Sequence, residues 1–168
     1  MTNKKISTQQ LVMMAMLIAV NVVLSRFLSI SAWNIKIGFA FVPVVVAAIY
    51  MGPVQAALVG ALGDFVGAVL FPIGAYFPGF TLTAALVGFT YGVFLHKKQN
   101  NTLIFGAVVL TELFGSLLLN TLWISILYGS PFLPLLVTRV FQVVIMIITE
   151  MLVISCIISK LFRVRHAV

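Results

Sequence analysis

The chain has 168 residues, of which 62% are hydrophobic and 8% charged, with a mean hydropathy of +1.22. A soluble domain carries about 25% charged residues, so this composition excludes the soluble classes; lipid is the fitting solvent, and about six spans of roughly 20 residues fit in the chain once loops are allowed for. The net charge is +7, and the basic residues sit mainly at the ends of apolar stretches, in Lys4, Lys5, His96, Lys97, Lys98, Lys160, Arg163, Arg165 and His166, as topology anchors do, which argues against nucleic acid as a partner.

In chain order, the first apolar run covers about Thr8 to Leu24 and stops at Arg26. It is too long for a signal-peptide core and lacks a convincing cleavage site, so it is expected to be retained. Phe27 to Gly38 is a mixed segment, too polar for a bilayer core. A short second span runs from Phe39 to Met51 and closes at Gly52-Pro53, and a third covers Val54 to Phe71. Pro72 to Gly79 is a turn-rich loop. The fourth span covers Phe80 to Leu95, the fifth Leu103 to about Leu127, and the sixth Phe132 to Phe162, after Tyr128-Gly129-Ser130-Pro131. The fold expected is an all-α membrane protein of six transmembrane helices in a single domain over residues 1–168. An even number of spans puts both termini on one side. The basic clusters make that side cytoplasmic, which leaves Arg26 and Lys36 as the exceptional cations of the outer face.

Ionisable groups within a bilayer cost about 2.5–3.5 kcal/mol each on insertion scales and need a partner or a use. The embedded set is Asp64, Glu112, Arg139 and Glu150. At about 1.5 Å rise per residue, Asp64 lies near 10 Å below the outer end of its helix. Arg139 lies at a similar depth, and so do Asn120 and Trp123. Helical spacing aligns Glu112, Ser116, Asn120 and Trp123 on the fifth helix, Gly60, Asp64, Gly67 and Phe71 on the third, and Arg139, Gln142, Met146 and Glu150 on the sixth. Three such stripes would line a cavity open to the outside. The first outer loop, with Trp33, Asn34 and Lys36, and the third, with Tyr76 and Phe77, are placed to close over it. Structural roles compete for the same residues. Asp64 and Arg139 would also serve as a buried ion pair, Glu112 and Glu150 as structural hydrogen-bond partners, Trp33 as an interfacial aromatic, and Arg26 as a cation snorkelling to headgroups.

Enzymatic readings find no support in the residues. HExxH, GxSxG, GxxxxGK[ST] and a Cys/His ligand set are all absent, so no cofactor or metal is expected, and ATP hydrolysis would need another subunit. Cys156 alone excludes an internal disulfide. Gly60, Gly63, Gly67, Gly88 and Gly92 permit close helix approach, as do Ala15 and Ala19 on the first helix. By itself the alanine pair fits packing within the chain as well as packing against a partner. No internal repeat supports a secondary carrier.

The alanine pair, the short six-helix plan, the segments LSRFLSI and IKIGF, and the block GPVQAALVGALGDFVGAVLFPIGAYFPGFTLTAALVGFTYG from Gly52 to Gly92 together resemble the substrate-binding S components of energy-coupling factor (ECF) vitamin transporters. The likeness is greatest to the folate branch. It implies a multi-pass protein of a bacterial cell membrane that binds its vitamin from outside. It also implies partners: one transmembrane coupling subunit and two ATPases, with Ala15 and Ala19 as the docking pair. If folate is the ligand, Asp64 would accept from the donor edge of the pterin. Trp33, Tyr76, Phe77 or Trp123 would stack on its rings, and Arg26 and Lys36 would meet the carboxylates of the tail. Arg139 would contact the pterin or orient Asp64. Riboflavin, pantothenate or a queuosine precursor would suit the same architecture, and a stand-alone small-solute carrier is the alternative outside the family.

Overall fold

The computed structural model describes residues 7–32 and 35–165; Trp33 and Asn34 lie outside the described residues. Helix α1 spans Thr8–Arg26. Its start is set by a capping box, in which the Gln10 backbone N–H donates to Ser7 Oγ and the Ser7 N–H donates to Gln10 Oε1. Then come strands β1 (Ser29–Ala32) and β2 (Ile35–Gly38), followed by α2 (Phe41–Met51), α3 (Pro53–Leu70), α4 (Pro78–Leu95), α5 (Asn101–Tyr128) and α6 (Phe132–Arg165). Among the described residues, α1, α3, α4, α5 and α6 are long and apolar enough to cross a membrane. At eleven residues, α2 rises only about 16 Å.

The helical class holds, with one correction. The mixed segment after Arg26 is an antiparallel hairpin, pairing Ser29 with Gly38, Ile30 with Ile37, Ser31 with Lys36 and Ala32 with Ile35. Its period-two alternation, Ser-Ile-Ser against Ile-Lys-Ile, is the local cause. Gly38 permits the pairing to start, since a Cβ there would lie 2.7 Å from the Ser29 Cβ.

Helices α3 and α4 pack backbone to backbone. A Cβ on Gly60 would come within 2.5 Å of the Ala84 carbonyl oxygen, and one on Gly88 would strike the Ala56 carbonyl, so the small residues set the interhelical distance. Gly52, at φ +102°, turns α2 into α3 in a conformation that side chains disfavour. The buried cluster joins Val45, Ala48, Val59, Tyr91, Leu95, Ile104, Val108 and Ile154 from five helices. The outer surface is apolar as well, with Met16, Leu133 and Phe141 well exposed, as lipid contact requires.

The middle of α5 departs from regular α geometry. Thr111–Leu119 forms a π-helical segment, and Thr111 Oγ1 donates back to the carbonyls of Ala107 and Val108 just before it. Such segments widen the turn, with consequences for which residues face inward.

Candidate functional site

A cavity of about 420 Å³ opens between all six helices and the hairpin, and Arg26, Lys36, Asp64, Tyr76, Asn120 and Arg139 all reach its wall. Six of the residues singled out by sequence are therefore brought together. The structure adds Asn21, Phe41, Phe80 and Tyr128, which carried no embedded charge or periodic stripe to mark them.

Arg26 does not stand free at the rim. Its side chain is 10% exposed, its Nη2 lies 3.7 Å from Asp64 Oδ1, and the same nitrogen donates to the Asp64 backbone carbonyl at 3.3 Å. Gly67 makes room for it, because a Cβ there would sit 2.7 Å from Arg26 Nε. Gly63 likewise accommodates Asn21, whose Nδ2 donates to the Ala40 carbonyl at 2.7 Å. The second carboxylate oxygen of Asp64 accepts from Thr81 Oγ1 at 2.9 Å, and Thr81 in turn contacts Tyr76 OH at 3.2 Å. The ion-pair partner of Asp64 is thus Arg26 and not Arg139. A long guanidinium at the end of α1 reaches across to α3, a distance that sequence depth alone does not convey.

Trp123 and Phe77 do not line the cavity. They pack against each other at a tilt of 39°, with centroids 5.6 Å apart, and Trp123 Nε1 donates to Thr83 Oγ1 at 3.0 Å. The π segment explains the displacement. Cavity-facing residues of α5 recur every fourth position, as Glu112, Ser116, Asn120, Ile124 and Tyr128, because the widened turn changes the phase. Trp123, placed by a 3.6-residue period, is rotated off this row.

Lys36 lines the cavity and remains exposed as a residue, with protein crowding around its ammonium. Burial, with the Arg26 charge nearby, lowers its ammonium from the ordinary 10.5 to about 8, against the opposing pull of Asp64. Its strand is strapped to α6 by Gln142, whose Nε2 donates to the Lys36 carbonyl at 2.8 Å.

A second cavity of about 220 Å³ adjoins the first, sharing Lys36, Phe41, Val87, Asn120 and Arg139 and adding Glu112, Ser116, Gln142 and Glu150. Glu150 accepts from Tyr91 OH at 2.6 Å, and Thr111 Oγ1 lies 3.1 Å from the same hydroxyl, so this acid is held in a packing network. Ala15 and Ala19 sit elsewhere, exposed on α1 beside Leu11, Val12 and Met16. Among the described residues no cluster of His, Cys, Asp and Glu is placed to hold a metal ion.

Comparison with known proteins bears on this geometry. The chain is 46% identical over 89 residues to the folate transporter FolT of Clostridium novyi (strain NT), a match covering 53% of this chain and 52% of that protein. It is 38% identical over 98 residues to the folate transporter FolT of Leuconostoc mesenteroides subsp. mesenteroides, covering 57% and 52%. The chain thus spans about half the length of the curated relatives it matches. Its fold is similar, with TM-score 0.87 and 34% identity over 92% of this chain and 95% of the other, to the crystal structure of FolT bound with folic acid. The S component of a bacterial ECF transporter shares the fold at TM-score 0.54 and 24% identity, covering 95% of each chain. The family model of the ECF transporter substrate-specific component matches residues 9–162. The chain belongs to that family, a family of multi-pass bacterial membrane proteins.

Proposed function

We propose that this chain binds folate at the outer face of the membrane and hands it to an ATP-driven uptake module. The observation that carries the reading is the 420 Å³ cavity, walled by three cations, Arg26, Lys36 and Arg139, in a chain whose fold follows that of a folic-acid-bound FolT over 92% of its length. The volume falls in the range of about 300–1,000 Å³ usual for small-molecule sites. Tyr76, Phe80 and Phe41 offer apolar faces to flat rings. Lys36 and Arg26 offer positive charge to the two carboxylates of the glutamate tail. Asp64, with both oxygens engaged, serves to hold Arg26 and the Thr81–Tyr76 pair in place. Trp33 and Asn34, which follow β1 in the sequence, are kept as candidate ligand contacts in this reading, and Trp123 with Phe77 support the wall of the site from behind.

The orientation has six crossings with both termini cytoplasmic. Helix α2 begins at the hairpin end, and α3 must start at the opposite end to reach the hairpin end at Leu70, so the short α2 counts as a crossing. The opposite end carries His96, Lys97 and Lys98 and is the inner side by the positive-inside bias. The partners are a transmembrane coupling subunit and two ATPase subunits, with Ala15 and Ala19 on the docking face.

The test is titration of the purified chain in detergent with folic acid and with 5-formyltetrahydrofolate, read by calorimetry and intrinsic tryptophan fluorescence. Saturable binding at micromolar concentration or below is expected. No heat and no fluorescence change up to that range would overturn the folate assignment.

A further inference from the structure

The middle of α5 is wound in a register that a regular helix would not keep. Glu112 faces the smaller cavity and Asn120 faces both, so the two point to the same side. At about 100° per residue, eight α-helical residues would overshoot two full turns by about 80°. The π segment Thr111–Leu119 takes up that difference, and the Asn120 N–H accordingly donates to the Gly115 carbonyl, five residues back. One wide stretch therefore sets the facing of everything beyond it, from Asn120 to Tyr128.

The two ends of this stretch are held differently. Before it, Thr111 Oγ1 bonds back to the Ala107 and Val108 carbonyls and lies 3.1 Å from Tyr91 OH, which donates to Glu150. Tyr91, Thr111 and Glu150 are all buried, so α4, α5 and α6 fix the inner half together. Beyond it, Trp123 Nε1 donates to Thr83 Oγ1, and Thr83 passes a hydrogen bond on to the Gly79 carbonyl at 3.0 Å. Asn120 Oδ1 and Thr121 Oγ1, at the start of the outer half, are buried without a hydrogen-bond partner, a cost that counts against the present register. At the far end Gly129 sits at φ +62° with open space around its Cβ position, so the joint to α6 has the freedom to follow a rotation.

We propose that α5 is a two-register element: wound as π over Thr111–Leu119 it leaves the cavity open to ligand, and wound as α it turns its outer half by about 80° and swings Trp123 into the cavity. In an unbroken α-helix the row that starts at Glu112 continues through Ser116, Leu119 and Trp123, so the indole takes the inner face from Asn120 and Ile124. The distance to cover is short. Trp123 packs against Gly79, where a Cβ would come within 2.5 Å of its Cδ2, and its acceptor Thr83 is itself part of the cavity wall. An indole inside a cavity of about 420 Å³ occupies space that a flat ligand ring would need, so ligand and α register exclude each other. Ligand binding then favours the π register, and its departure favours the α register.

The inference rests on the folate reading above for its probe ligand. The full-length chain, labelled with 5-fluorotryptophan in detergent, is followed by fluorine NMR, the Trp123 resonance being assigned by its loss in Trp123→Phe. The ligand-free wild type is expected to show a second Trp123 environment in slow exchange, which saturating folic acid suppresses at least about fivefold. Thr83→Val removes the acceptor of the indole N–H and should enlarge the second signal about fivefold, the effect of one net hydrogen bond. Deleting Leu118, an exposed residue of the π segment, puts Asn120, Ile124 and Tyr128 at i+7, i+11 and i+15 from Glu112 in a plain α-helix, which fixes the open face without a wide turn. One Trp123 signal is expected in that background, with or without Thr83→Val, whereas an indole that merely loosens when its bond is lost would respond in both. A single wild-type environment that Thr83→Val leaves unaltered overturns the proposal, and so does a second one that persists under saturating folic acid or survives the deletion. Should the deletion variant fail to fold, the wild-type and Thr83→Val spectra decide alone. If folic acid does not bind the wild type, the folate reading falls, while the Thr83→Val and deletion spectra still test the two registers.

Discussion

Arg26 and Asp64 close the gap between α1 and α3: the guanidinium Nη2 lies 3.7 Å from the carboxylate and donates to the backbone carbonyl of the same residue at 3.3 Å. The pair is only partly screened, with exposures of 10% and 25%. Removing one member leaves the other poorly compensated, which costs more than the pair's net worth. Asp64→Asn is expected to lower stability by about 1–3 kcal/mol and to weaken folate binding through a displaced Arg26. Arg26→Gln combined with Asp64→Asn should lose less stability than the sum of the two single changes. Thermal unfolding of the four proteins checks this, and strict additivity would show that the two residues do not depend on each other.

Gly67 supplies the space that lets Arg26 lie inward. A Cβ at that position would approach Arg26 Nε to 2.7 Å, and the far end of a flexible side chain yields more readily than backbone. Gly67→Ala is therefore expected to move the guanidinium, reducing folate affinity by about tenfold and lowering stability by no more than Asp64→Asn does. Gly88→Ala should lower stability and leave folate affinity within about threefold. Its Cβ would meet the Ala56 backbone carbonyl, and overpacking of this kind costs about 1–3 kcal/mol. Calorimetric titration and thermal unfolding of both variants separate the two outcomes.

Titration of Lys36 gives a pH dependence with a defined sign. Burial and the neighbouring Arg26 bring its ammonium down to about 8. An anionic tail bound beside it favours the charged form, so binding takes up a proton once the free site has lost one. Affinity is then flat below about pH 8 and falls as pH rises above it, by at most about tenfold per pH unit for one linked proton. Lys36→Met should bind more weakly at pH 7 and lose the slope. Titrations between pH 6 and about 9.5 decide the point, and a wild-type slope that survives in Lys36→Met would assign the proton elsewhere.

Trp123 tests how far helical phase can be read from spacing. Asp64, Asn120 and Arg139 are legible as a group because polar residues in an apolar chain are few and a rise of about 1.5 Å per residue places them at one level. The same rise puts Trp123 at that level, but a regular helical period turns it to the wrong face, since nothing in TELFGSLLL announces that Thr111–Leu119 will wind as a π segment. The hairpin is hidden for a related reason: eight residues of weak alternation read as a polar loop unless the pairing partner is known. The inward reach of Arg26 depends on tertiary contact and carries no local signal beyond Gly67. Trp123→Phe, which removes the bond to Thr83, should cost about 1 kcal/mol of stability and leave folate affinity within about threefold. A larger loss of binding would return Trp123 to the cavity wall.

Ala15 and Ala19 occupy an exposed strip of α1, away from Asp64 and the other residues of the cavity. Small residues let a second helix approach closely, whereas leucine-sized neighbours such as Leu11 and Met16 hold lipid or a partner at a distance. A bulky side chain at either alanine meets no wall within the chain, so the fold and the cavity should tolerate it. The double substitution Ala15→Trp, Ala19→Trp is therefore expected to retain folate affinity within about threefold, since it touches no group that meets the ligand. Uptake by proteoliposomes containing the coupling and ATPase subunits should fall to background, because the two helices can no longer come together. Undiminished uptake would exclude this strip as the docking face, and uptake by the wild-type chain without those subunits would overturn the dependence on an ATP-driven module altogether.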